Sequence, residues 1–214
     1  MTEKTSQKDQ WAIGILCILY GVGVVALSLK VHPDFVLLTP LNLLISLALL
    51  LWRHRVWNRS LQIFLLLCYL AGFLVEMVGV QTGLLFGQYE YHQVLGPKLF
   101  ATPLLIGVNW VILVYSSAVL LNYVAGKAHW LLKTTAAAAI MVALDVLIEP
   151  VAVALNFWTW EDGIIPLQNY IAWYGLSFLL IALFYRLLGN TRNKVAVALL
   201  LLQFLFFGIL NLSL

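Results

Sequence analysis

Apolar residues run along this chain in blocks of roughly 20, parted by short stretches that hold most of the charges. The blocks fall at about 11–30, 36–52, 61–80, 100–124, 134–155, 168–188 and 195–213. A helix rising 1.5 Å per residue needs about 20 residues to cross a hydrocarbon core of about 30 Å. The pattern therefore predicts seven transmembrane helices, the second short enough to need tilt or local thinning of the bilayer. The first block, Trp11 to Leu29, is too long for the apolar core of a cleaved leader and lacks a small-residue cleavage site, so it reads as a retained span. Two connections, about 81–99 and 156–167, are longer than the rest. They mix glycine, aromatic and acidic residues, the kind of loop in which function concentrates. No internal repeat is visible.

Composition sharpens this picture. Of 214 residues, 63% are hydrophobic and 10% charged, with mean hydropathy +0.98. A water-soluble domain is nearer half apolar and a quarter charged. This excludes an ordinary soluble globule, a disordered tail and a nucleic-acid-binding module. The expectation is an all-α, polytopic membrane helix bundle forming a single transmembrane domain over 1–214. Cys17 and Cys68 lie in apolar blocks without metal-ligand spacing and read as small buried hydrophobes.

The net charge of +3 matters less than its distribution. Alternating the spans collects Lys4, Lys8, Arg53, Arg55, Arg59, Lys127, Lys133, Arg186, Arg192 and Lys194 on one side and leaves Lys30 and Lys98 on the other. Basic loops stay cytoplasmic. The prediction is N-terminus in and C-terminus out, in a bacterial inner membrane. Asp34, Glu90, His92, Glu161 and Asp162 then fall in outer loops.

Three carboxyl groups lie within predicted spans: Glu76, Asp145 and Glu149. Ionisable groups at membrane depth are costly, face the bundle interior and mark function. Asp145 and Glu149 are four apart and share a helix face. Gly72, Glu76, Gly79 and Gly83 form a stripe that admits a close neighbour. Pro103, Gly107 and Trp110 form a similar stripe, with Asn109 beside it. Pro150 follows Glu149 and can kink the helix there. Polar and aromatic residues gather toward the outer side: Tyr89, Glu90, Tyr91, His92, Trp110, Asn156, Trp158, Trp160 and Asn169. Carboxyl groups crowded in a dry site do not all ionise, and one that keeps its proton is an acid. Aromatic faces stabilise a cation. Together they suit protonation of an alkene to a tertiary carbocation, which then captures water or loses a proton, with neither metal nor nucleotide required. Trp11, Trp52, Trp57 and Trp130 read as an interfacial belt. His92 with Glu90 has no second histidine nearby, and no metal site is expected. His32, His54 and His129 read as solvated loop residues. Asp34, Glu161 and Asp162 read as solvated or capping.

The run from Glu76 through Gly79, Gly83, Phe86, Gly87, Tyr89 and Tyr91, then Leu95-Gly96, Pro103 and Trp110, resembles the CruF-like carotenoid biosynthesis family of integral membrane proteins. So does the second half: Asp145 to Glu149-Pro150, Trp158-Thr159-Trp160, then Ile165-Pro166 to Asn169, Tyr170 and Trp173. The resemblance covers about 70–175. It implies cofactor-free hydration of the terminal double bond in an acyclic (psi) carotenoid end group, a substrate held within the bilayer. It implies catalytic roles for Glu76, Asp145 and Glu149, one of the last two protonating the alkene while another carboxylate orients water. It further implies that Asn109 and Asn169 hold that water, and that Tyr89, Tyr91, Trp110, Trp158, Trp160 and Trp173 line the end-group site. The chain departs from the family pattern at Ala101-Thr102, where Gly-Val is expected, and at Asn156, where a small residue is expected.

Alternatives differ in what they require. A cyclase-like or isomerising enzyme uses the same protonation but ends in proton loss. A retinal protein needs a lysine in the last span, and 195–214 holds none. A proton-coupled transporter needs ionisable groups across the membrane, and these cluster on one side. A purely structural subunit would tolerate loss of the carboxyls.

Overall fold

The computed structural model describes residues 6–214; Lys4, counted above among the basic side chains, lies outside them. Among the described residues seven helices are long and apolar enough to cross a membrane. They are α1 (Gln7–Ser28), α2 (Thr39–Trp52), α3 (Arg59–Thr82), α4 (Leu105–Val124), α5 (Trp130–Ala154), α6 (Leu167–Leu188) and α7 (Lys194–Ser213). Their ends carry the signals that start and stop helices. Ser6 and Asp9 form a capping box at α1. Asn58 and Asn193 cap α3 and α7 through their side chains. Gly83 ends α3 in the left-handed conformation, φ +66°, which glycine adopts without strain.

Two contacts fix the up-and-down order. Arg53 Nε meets Asp9 Oδ1 at 2.6 Å, joining the start of α1 to the end of α2. Ser28 Oγ meets Ser213 Oγ at 2.8 Å, joining the far ends of α1 and α7. The bundle thus has a basic end, with nine of the described Lys and Arg, and a loop end with only Lys30 and Lys98. Trp11, Trp52, Trp57 and Trp130 are exposed at the basic end, as a belt requires. Helix α4 is the central post, packed by α2, α3, α5, α6 and α7. The second span is not short: a 3-10 turn, Pro33–Leu38, runs into α2 and completes 20 residues.

Several expectations change. The fourth span starts at Leu105 rather than 100, because β2 (Lys98–Leu99) and β3 (Thr102–Pro103) form a small hairpin. Its turn residues Phe100 and Ala101 both have positive φ, +50° and +61°, as a two-residue primed hairpin turn requires. Pro103 therefore sits in β3, off the stripe of Gly107 and Trp110. Asn156 also has positive φ, +56°. Both departures from the family pattern thus fall on left-handed backbone, which glycine favours and asparagine tolerates. Helix α5 runs unbroken through Pro150. Cys17 is exposed on the outside of α1, while Cys68 is buried. Lys133 is buried, with Nζ on Asn122 Oδ1 at 2.8 Å and Asn190 Oδ1 at 2.9 Å.

His54 is not solvated. It is 7% exposed, with Nδ1 at 2.7 Å from the Tyr115 hydroxyl and Nε2 at 3.0 Å from the Val56 carbonyl. Burial moves its pKa below the ordinary value of 6.5. The unfolded chain therefore binds this proton first as pH falls, and stability drops as pH passes below that value. Thermal unfolding in detergent should show the midpoint falling between pH 7 and 5. His54→Asn should flatten that slope; an unchanged slope would remove His54 from it.

Candidate active site

The three intramembrane carboxyls meet at one cavity. Glu76 lies about 9 Å from the loop end of α3 and Glu149 about 8 Å from that of α5, with Asp145 one turn deeper. Exposures of 2%, 1% and 3% for Glu76, Asp145 and Glu149 remove them from solvent. Buried carboxyls of this kind persist only with hydrogen-bond partners. Glu76 accepts from the hydroxyls of Tyr89 at 2.6 Å and Tyr91 at 3.0 Å, and from Trp110 Nε1 at 3.2 Å. Glu149 accepts from Trp160 Nε1 at 2.8 Å and Trp158 Nε1 at 2.9 Å. The Asn169 amide bridges the last pair, donating to Asp145 Oδ2 at 3.0 Å and Glu149 Oε1 at 3.3 Å.

Four of these donors come from a structure that the sequence reading missed. The two long loops pair as antiparallel strands, β1 (Tyr89–Tyr91) and β4 (Trp158–Trp160). Register places Tyr89 opposite Trp160, Glu90 opposite Thr159 and Tyr91 opposite Trp158. Side chains alternate across a strand, so the four rings share one face and Glu90 turns out. Ring centroids lie 4.9 Å apart for Tyr89 and Trp160, and 5.7 Å for Tyr91 and Trp158. The alternation in Tyr-Glu-Tyr and Trp-Thr-Trp was the available signal. Burial, and then the neighbouring Glu76, raise the pKa of both phenols well above its ordinary value, so the O–H bonds that serve Glu76 stay intact.

Glycines set the spacing behind this ring of donors. A Cβ on Gly72 would lie 2.5 Å from Trp110 Cγ, so only glycine leaves room for that indole beside Glu76. Trp110 stacks on Trp173 with centroids 4.4 Å apart. Gly79 similarly receives the Phe86 ring.

The cavity measures about 110 Å³. All eleven residues singled out from sequence line it: Glu76, Asp145, Glu149, Tyr89, Tyr91, Asn109, Trp110, Trp158, Trp160, Asn169 and Trp173. Its remaining walls are mostly apolar, Leu43, Leu95, Ile106 and Ile148 among them. Sequence reading missed the contribution of α1, α2 and α7, which bring Tyr20, Asn42 and Gln203. Asn109 makes no side-chain hydrogen bond to any described residue. His92 Nε2 lies 3.2 Å from Thr159 Oγ1, beyond the cavity wall. Among the described residues no cluster of three His, Cys, Asp or Glu side chains is arranged to hold a metal ion.

Residues 35–214 match the family model described as carotenoid biosynthesis protein. Over 168 residues the chain is 27% identical to bisanhydrobacterioruberin hydratase of Haloarcula japonica. That alignment covers 75% of this chain and 57% of the relative, so the chain spans little more than half the length of the protein it matches. No solved structure matches.

Proposed function

The chain belongs to the carotenoid biosynthesis protein family, and on that premise we propose that it hydrates the terminal double bond of an acyclic carotenoid end group. One observation carries the reading: three buried carboxyls converge on a largely apolar cavity whose other polar groups are indoles, phenols and a few amides. Such a cavity accepts a branched hydrocarbon end and surrounds a developing cation with carboxylates and ring faces. The hydratase activity named for the archaeal relative agrees with it.

Hydrogen-bond supply separates the three groups. Glu76 and Glu149 each accept from three donors, a setting that suits a carboxylate. Asp145 accepts from Asn169 alone, which leaves Oδ1 free of any described donor. Asp145 is therefore the group assigned to carry and deliver the proton. Its O–H bond breaks as a C–H bond forms on the less substituted alkene carbon. The tertiary cation takes the lone pair of a water molecule, and the proton released from that water restores the acid. Each step uses carboxyl side chains and water, so the reaction is assigned no cofactor. The indole N–H groups of Trp158 and Trp160 hold Glu149 in place beside the cation.

Pigment analysis tests this. Expression in a host that makes lycopene or gamma-carotene should give a product heavier by one water. An isomer of unchanged mass would replace hydration by a cyclase-like or isomerising reaction. Orientation is tested separately. The basic end is assigned to the cytoplasm of a bacterial inner membrane, with the cavity toward the outer face. A reporter fused after Asn190 should read cytoplasmic and one after Asp162 external. The opposite pattern would put the cavity on the cytoplasmic side.

A further inference from the structure

A second polar group lines the same cavity from other helices. Tyr20 of α1, Asn42 of α2 and Gln203 of α7 line the same cavity, with Ser46 one turn beyond Asn42. Ser46 and Gln203 both approach the Tyr20 hydroxyl. Gln203 is 3% exposed and Ser46 is fully buried. One phenol O–H cannot serve both, and among the described residues Gln203 Oε1, Asn42 Oδ1 and Ser46 Oγ have no hydrogen-bond partner of regular geometry. A buried polar atom left unpaired costs about 1–3 kcal/mol. Asn42 and Gln203 line the cavity itself and Ser46 lies one turn beyond; the other unpaired buried side-chain atoms among the described residues, on Ser116, Ser117 and Ser177, are hydroxyls outside the cavity, so unpaired amides occur only at this wall.

The chemistry of the orphans defines their partner. Two are carboxamide oxygens, which only accept, and the third is a hydroxyl oxygen. A pure hydrocarbon in the cavity leaves all three unpaired. A molecule with O–H bonds satisfies them and turns its lone pair toward the cavity centre. We propose that Tyr20, Asn42, Ser46 and Gln203 hold the water molecule that attacks the carbocation, in place of Asn109 and Asn169, to which the family resemblance gave that role.

The inference rests on the hydration reading above and adds where the nucleophile is held. Asp145 protonates the alkene. The water held by the second polar group forms the C–O bond with its lone pair. Its surplus proton then leaves to a carboxylate of the Asp145 and Glu149 pair, and the acid is restored. Without positioned water, the same cation loses a proton from carbon to that carboxylate and gives an isomeric alkene. The four residues are positioning groups for the nucleophile, so their loss should alter the partition between the two products, beyond any change in total turnover.

The test compares wild type, Gln203→Leu and Ser46→Ala in cells making an acyclic polyene with psi ends, each normalised to protein in the membrane. The hydrated-to-isomer ratio should fall about tenfold in Gln203→Leu, the worth of one hydrogen bond to the nucleophile. Ser46→Ala should lower it in the same direction. It removes a single oxygen, so it decides the matter if Gln203→Leu fails to reach the membrane. An unchanged ratio in the active variants, even with reduced total product, would overturn the water site and leave the hydration reading standing. Wild-type protein in the membrane with no hydrated product would overturn both.

Discussion

Asp145→Asn and Glu149→Gln should each cut formation of hydrated product by about 10²–10⁴-fold while the protein stays folded in the membrane. The two changes act differently. Asparagine at 145 keeps the shape and an acceptor for the Asn169 amide at 3.0 Å but carries no acidic proton. Glutamine at 149 keeps an oxygen for the indoles of Trp158 and Trp160 but removes the negative charge proposed to face the cation. Neither change opens a cavity, so a loss of product at normal protein level reports chemistry rather than folding. Pigment analysis normalised to membrane protein is the readout. Wild-type turnover in both variants would take these carboxyls out of the reaction.

Gly72→Ala should destabilise the bundle by about 1–3 kcal/mol and lower turnover with it. The added carbon would lie 2.5 Å from Trp110 Cγ. That indole has nowhere to go. It is fully buried, stacks on Trp173 and donates to Glu76 at 3.2 Å. Relief therefore comes from parting α3 and α4 or from breaking the bond to Glu76. Gly14→Ala on α1, where a new Cβ meets nothing within 4 Å, is the matched control and should be near neutral. Thermal unfolding in detergent, measured beside product yield, checks both. Equal midpoints for the two variants would show that the contact at Gly72 is soft.

The two mutations also mark the division between what local sequence pattern shows and what it hides. Seven spans were legible because a bilayer demands length and apolarity together, and little else meets that demand. Glu76, Asp145 and Glu149 stood out because a carboxyl at such depth has few bland explanations. What brings them together was not legible. Antiparallel pairing of Tyr89–Tyr91 with Trp158–Trp160 joins segments about 70 residues apart, and no local periodicity reports a partner at that distance. His54 looked like any loop histidine because its burial depends on Tyr115, two helices away in sequence. Gln203 and Asn42 were overlooked although an amide inside an apolar span is itself a signal. Their chemistry is weaker than a carboxyl's, and only the shared cavity brings them together.

The hydrogen bonds to Glu76 and Glu149 have a direction along the chain. Tyr89, Tyr91 and Trp110 all follow Glu76, by 13, 15 and 34 residues. Trp158, Trp160 and Asn169 all follow Glu149, by 9, 11 and 20. During synthesis each carboxyl thus emerges before any of the groups that satisfy it. Helices α3 and α5 leave the ribosome carrying acids that have no partner, and each waits for the next segment to supply one. A chain that stops after α5 would leave Glu149 without any of its three donors. The Glu76 site is thus completed with α4, the Glu149 site with α6, and the cavity with α7.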